Sequence, residues 1–407
     1  MDADIFILIP VSGKLNNRIY KSQKTEFEIS NTSKMLVSEL EFRSKVECDE
    51  MVTDSLQRIP FEVVQISYYP KDDYESYDDN QNNSKKIQWI DAHTTLLYLE
   101  EMELGLLLLF IPKFNKKDIT MIGDMISRKK IKICKNGRSE DVNQYIKTVF
   151  NLEVCNKIRT VYCMKKDYVK KKDIKYMFVG EVRESVDMEY ICSRIIKNDE
   201  IEKTLNKNLS IYDNYDLYAS NKSVIYCLKK FSEMNEIQRL QEESLLLFIC
   251  EIAVLQNAAL SRVNKMIVTE LINDCNISTR EALKLQLRFG KTILLWDNNI
   301  YNYFTAQKLS DNIMKIFETP RLFDEYKKNK EHIEQISSQK NSIRSGIALI
   351  MLNIVTFILN ILQLSKLITN PKNFISYTTI GCFSILILTI LVNKRRLIIS
   401  FIKGLFK

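Results

Sequence analysis

Apolar and polar positions change their rhythm along the chain. Up to about Phe231, short apolar runs are separated by polar stretches. Asp4 to Val11 (DIFILIPV), Phe61 to Tyr69 (FEVVQISYY), Leu106 to Ile111 (LLLLFI) and Tyr176 to Val182 (YMFVGEV) read as strands, with Thr160 to Cys163 as a further one. KNG at Lys135 to Gly137 marks a turn. Lys71 to Lys86 is too polar to bury anything and reads as a disordered surface loop; its carboxylates lack the glycine and spacing of a calcium loop. From about Ser232 the apolar spacing becomes three and four. Leu240, Leu247, Val254 and Leu255 mark one helix, and Leu283, Leu287, Ile293 and Leu294 a second. Thr319 and Pro320 then supply an N-cap and a first helical residue. No breaker follows before Gly346, so one helix is expected from Pro320 to Leu364, about 65–70 Å at 1.5 Å per residue.

Two stretches near the C-terminal end carry no ionisable residue: Ser345 to Leu364 and Phe374 to Val392. Each is close to the ~20 residues that cross a bilayer as a helix. Pro371 lies in the short segment between them, so a transmembrane hairpin is expected. Lys340 and Arg344 precede the first stretch and Lys394, Arg395 and Arg396 follow the second, whereas the connection carries only Lys366 and Lys372. The positive-inside bias therefore puts both termini in the cytoplasm. The expected fold class is an α+β cytoplasmic domain followed by a long helical stalk and a C-terminal two-helix transmembrane hairpin. In residues, this is an N-terminal α/β domain over 1–231, a helical layer and stalk over 232–344, spans at 345–364 and 374–392, and a basic cytoplasmic tail over 393–407. Ser244 to Leu260 is as apolar, but Glu251 sits at its middle. A charge there costs a few kcal/mol in a bilayer centre, while a buried soluble helix can turn it outward.

Composition sharpens these expectations. The formal charge of +8 comes partly from the acid-free stretch beyond Ser345, so it is not read as a nucleic-acid signal. Nine cysteines without a CxxC pair fit free thiols in a reducing compartment, and two histidines are too few for a zinc site or a histidine-based triad. The acidic start MDADIFILIP is no signal peptide. RFGKT, Arg288 to Thr292, lacks the first glycine of a P-loop, and neither GxSxG nor HExxH occurs, so no enzyme is expected.

Gly346, Asn353 and Asn360 are spaced by sevens and share a helix face, with Thr356 and Gln363 beside them. Polar groups in a bilayer face other helices or a water-filled path. Two readings stay open: a pore lining of asparagine and threonine, or glue between helices; both require a homo-oligomer. For a ligand, Lys165 and Lys166 open a lysine run that would attract an anionic nucleotide, or is a solvated face. Tyr212, Asp213, Tyr215 and Asp216 suit base stacking and ribose binding, or form a turn over packed tyrosines.

The helical layer at Leu245 to Leu260 (LLLFICEIAVLQNAAL), the aromatic stretch Leu294 to Gln307 (LLWDNNIYNYFTAQ) and the long helix with two spans and a basic end resemble the CorA family of divalent-cation channels and transporters, over roughly the last 170 of 407 residues. The resemblance implies a homo-oligomer, a pentamer by analogy, in the bacterial inner membrane. Transporting members carry a Gly-Met-Asn triplet after the first span; here Asn360 to Pro371 reads NILQLSKLITNP. That departure resembles the membrane effectors encoded beside type III CRISPR systems. It implies a channel or effector of antiviral defence, gated by a nucleotide messenger that joins S-adenosylmethionine to AMP. The alternatives are a constitutive magnesium transporter, with Mg2+ as transported or regulatory ion, and a non-conducting membrane-anchored sensor. Partners would be the lipid bilayer, further copies of the chain and the nucleotide, with no direct nucleic-acid binding.

Overall fold

A computed structural model describes residues 2–16, 29–48, 50–68, 87–115, 131–135, 137–165, 207–230, 233–273 and 300–367. Its first element is strand β1, Asp2–Ser12. Helices α1, Asn31–Glu47, and α2, Glu50–Ser55, follow, then strands β2, Gln57–Tyr68, β3, Gln88–Leu99, and β4, Leu104–Asn115. The hairpin of β5, Lys132–Lys135, and β6, Arg138–Asp141, turns at Gly137, whose φ of 76° lies in the left-handed region that glycine adopts without strain. A short helix α3, Val142–Tyr145, widens into one π-turn, Ile146–Phe150, before β7, Glu153–Val154, and β8, Arg159–Lys165. Strands β9, Tyr215–Ala219, and β10, Ser223–Leu228, complete the sheet. Helices α4, Glu236–Asn273, α5, Phe304–Ile316, and α6, Thr319–Leu367, close the described chain.

The strands form one mixed sheet in the order β6-β5-β2-β3-β4-β1-β8-β10-β9, with β7 attached to β1. β8 and β10 are parallel and the remaining pairs antiparallel. β1 and β4 are apolar on both faces because both faces are covered. Ile5, Ile7 and Ile9 point into one core with Leu107, Leu109, Ile111 and Phe150. Phe6 alternates to the other face, where it stacks on Phe110 at 4.5 Å, and α1 and α4 cover that side. Gly105 is required by the approach of β3 to β4: a Cβ there would stand 2.7 Å from the Leu97 carbonyl oxygen. Gly105→Ala should therefore destabilise the fold by about 1–3 kcal/mol, read by thermal denaturation, because backbone rather than a flexible side chain must give way.

The expected fold is corrected at its C-terminal end. Among the described residues, the one helix long and apolar enough to cross a membrane is Glu236–Val268, within α4, and 89% of its apolar window is buried in the protein. No C-terminal hairpin of two helices is present there. The first expected span is the end of α6, whose apolar stretch is Ser345–Ile358, under 18 residues. The expectation rested on two uncharged stretches taken together, and only the first of them falls among the described residues. The second expected span, 374–392, and the basic tail lie outside the described residues, as do the strand at 176–182, the helix around 283–294 and the loop at 71–86. The chain divides into two compact units, Met1–Glu331 and His332–Lys407, with α6 contributing to both.

Glu251 is indeed inside the protein, yet it is not turned outward. It is 1% exposed and meets Arg58 of β2 at 2.9 Å. The charge is tolerated by pairing rather than by solvation.

Candidate functional site

Within the first unit a cavity of about 1090 Å³ opens on the sheet face that carries Ile7, Ile9 and Leu109. Strand alternation supplies this apolar floor, joined by Ile131 and Tyr162. One wall is α3, with Val142, Asn143 and Gln144; Asp141 caps that helix by accepting from the Gln144 N–H at 2.9 Å. The opposite wall is the β7–β8 segment, Glu153 to Thr160, with Lys222 and Ser223 from the start of β10. Lys147 and Glu153 pair across the mouth at 3.7 Å. Burial pushes the Cys155 thiol up, so it stays protonated and unreactive at neutral pH. Ile7, Ile9, Leu109 and Tyr162 are at most 1% exposed, so what the cavity presents to solvent is its amide-bearing walls and the lysines at its rim.

The same β7–β8 wall reaches in the other direction to the helices. Asn156 donates to Asn257 Oδ1 at 3.0 Å, and Arg159 Nη2 donates to the same oxygen at 3.2 Å. Asn257 Nδ2 donates to the Phe317 carbonyl at 2.7 Å and to Thr319 Oγ1 at 3.3 Å. Glu318, between α5 and α6, sits at φ 61°, a left-handed conformation that a non-glycine residue holds only when its surroundings impose it. One heptad further along α4, Asn264 donates to the Leu322 carbonyl at 2.9 Å and accepts from Asn329. The first turns of α6 are thus held by two asparagines of the core helix.

Arg159 is 1% exposed, and its guanidinium lies 4.2 Å over the Phe317 ring. Among the described residues its Nε and Nη1 have no acceptor. Burial lowers its pKa to about 10, which still leaves it charged at neutral pH. A second charged group lies under α4. Arg239 Nε donates to Asp4 Oδ2 at 3.1 Å, and the Lys113 N–H donates to Asp4 Oδ1 at 2.8 Å. Glu243, fully buried beside them, is pushed well above the ordinary carboxylate range by burial and by the Asp4 charge, so it holds a proton.

The residues singled out in the sequence fall elsewhere. Lys165 ends β8 and Tyr215 starts β9, and both pair with Leu228 of β10, on either side of it. This is the end of the sheet away from the cavity, which lies at Thr160 and Ser223. Tyr215 is buried against Tyr226 at 4.9 Å, Tyr212 is half exposed and touches its edge, and Asp216 accepts from Asn208 at 2.9 Å. Asp213 is exposed, and Lys166 lies outside the described residues. Gly346, Asn353, Thr356, Asn360 and Gln363 are all on α6; Asn353, Thr356 and Asn360 are exposed, and Thr356 Oγ1 donates back to the Leu352 carbonyl. For magnesium, no group of three or more His, Cys, Asp or Glu side chains among the described residues could hold a metal ion. At the start of α6, Glu318 and Glu325 lie 3.3 and 3.7 Å from Arg321.

Sequence reasoning missed the cavity because its polar residues, Asn143, Gln144, Asn156, Thr160 and Ser223, are scattered and form no motif. A signal for Asn257 did exist: Gln256 and Asn257 interrupt the strongly apolar run from Leu245 to Leu260. The chain matches no family model, no curated protein and no solved structure.

Proposed function

We propose that this protein is a membrane effector that answers a small organic anion of the nucleotide class. The observation that carries the membrane half is the end of α6. Leu349, Met351, Leu352 and Ile358 are 50–65% exposed there, an apolar surface that water does not favour and lipid does. The ligand half is supported by the cavity in the first unit, whose exposed Lys157 and Lys222 suit phosphate. Copies of α6 packed through Asn353, Thr356 and Asn360 would give ions a polar path without a fixed charge. By the resemblance, the messenger is the conjugate of S-adenosylmethionine with AMP and the setting is antiviral defence.

The test is ion flux from liposomes that hold the full chain, recorded with that conjugate, with ATP and with neither. Flux that needs a nucleotide, and that Asn353→Leu abolishes without loss of protein from the liposomes, is the expected result. Magnesium flux without nucleotide would instead make the protein a constitutive transporter. For the lipid contact, Leu349→Asp with Leu352→Asp should lower the fraction bound to phosphatidylglycerol vesicles about tenfold or more, since each carboxylate must be kept out of the hydrocarbon. Unchanged binding in a folded double variant would remove α6 from the membrane.

A further inference from the structure

The Asn257 side chain is hydrogen-bonded both to the cavity wall and to the junction where α6 begins. We infer that it is the positioning residue through which occupancy of the cavity is felt at that junction, an inference that rests on the ligand half of the proposed function and adds its route. The amide is used completely: its oxygen accepts from Asn156 and Arg159, and its nitrogen donates to the Phe317 carbonyl and Thr319 Oγ1. Its orientation is forced by chemistry. Arg159 can only donate and the Phe317 carbonyl can only accept, so a flipped amide would set like against like on both sides. A carboxamide is planar and rigid, so its oxygen cannot follow the β7–β8 wall without moving its nitrogen at the helix junction.

Three further features belong to the same route. Asn156, Ile158 and Thr160 line the cavity, while Arg159 between them alternates to the opposite side and reaches the amide. A ligand that shifts this strand entry therefore shifts both donors to Asn257 Oδ1. Arg159 also touches the junction directly, through its contact with the Phe317 ring. Finally, Glu318, next to both acceptors of Asn257 Nδ2, holds its left-handed backbone only while its neighbours fix it. A small displacement of the amide is thus delivered to the residue of the junction with the least stable conformation.

The test fills the cavity without a ligand. Val142→Trp places an indole in it from the α3 side, far from Asn257 in sequence. Amide hydrogen exchange on the full chain then reads two segments, the wall at 153–162 and the junction at 317–323. In the otherwise unchanged protein both should shift, the junction by about fivefold in exchange rate. In Asn257→Asp, which keeps the acceptor for Arg159 and gives it a counter-ion but loses both donors, the wall should shift and the junction should not. Asn257→Ala should behave the same way and serves if the aspartate variant fails to fold. A junction that responds equally without the Asn257 donors overturns the inference. So does a junction that stays still while the wall moves, or a wall that ignores the indole. Absence of nucleotide-dependent flux would strike the proposed function alone, because no nucleotide enters this experiment.

Discussion

Arg58→Met should cost the fold about 3–5 kcal/mol, the penalty of leaving one member of a buried ion pair without its partner. Arg58 and Glu251 are 3% and 2% exposed in their side chains and meet at 2.9 Å. The contact is made through Arg58 Nη1, and among the described residues Arg58 Nε and Nη2 find no acceptor. Burial already raises the Glu251 pKa, and Arg58 only partly offsets that. With Arg58 gone, the carboxyl group relieves part of the cost by taking up a proton, so the loss should be smaller at low pH than at neutral pH. Arg58→Met with Glu251→Leu should recover most of the stability, because no uncompensated charge then remains. Chemical denaturation of the three variants decides the matter. A single variant as stable as the parent would mean that water reaches Glu251 and the pair is not structural.

The second large effect is a pH dependence centred on Glu243. Its folded-state pKa lies well above the ordinary value, burial being the main cause and the Asp4 charge the next. A carboxyl group raised in this way contributes its stability fully below the unfolded pKa, and loses it as pH rises through the folded one. Over that window stability should fall by up to about 1.4 kcal/mol per pH unit. Asp4 is also raised, so its contribution has the same sign. Glu243→Gln removes the titration while keeping the shape. Measured by urea denaturation, the parent should be the more sensitive of the two as pH is raised from about 5 to about 8. Parallel curves for parent and variant would show that Glu243 is ionised in the fold at all these values.

The central strands were legible because both faces are buried and the apolar runs are nearly continuous: β1, β2, β4 and β8 were found within a few residues of their observed ends. β3 escaped notice since its first half, QWIDAH, mixes charge with aromatics and lies at the more exposed end of the sheet. The start of the long helix was legible from Thr319-Pro320, which appears within a residue of its place. Its ending in a bilayer hairpin was not, because apolar composition alone does not distinguish a span from a helix packed inside the protein, as α4 is. The candidate site was the least legible part. Lys165 and Tyr215 do sit at one end of the sheet, yet the cavity lies at the other, and only pairing register could have told the two ends apart.

β1 is synthesised well before either of the long strands that flank it. Its two long neighbours are β4, which begins at Leu104, and β8, which begins at Arg159. At ~5–20 residues per second of synthesis, roughly ten to thirty seconds pass before the second of these emerges. Throughout that interval a run from Ile5 to Val11, apolar on both sides and with unmet backbone groups along an edge, is available to any other extended chain. The sheet order therefore makes the nascent protein a natural client of holding chaperones, and predicts that overproduction outpacing them ends in strand-mediated aggregation rather than in slow refolding.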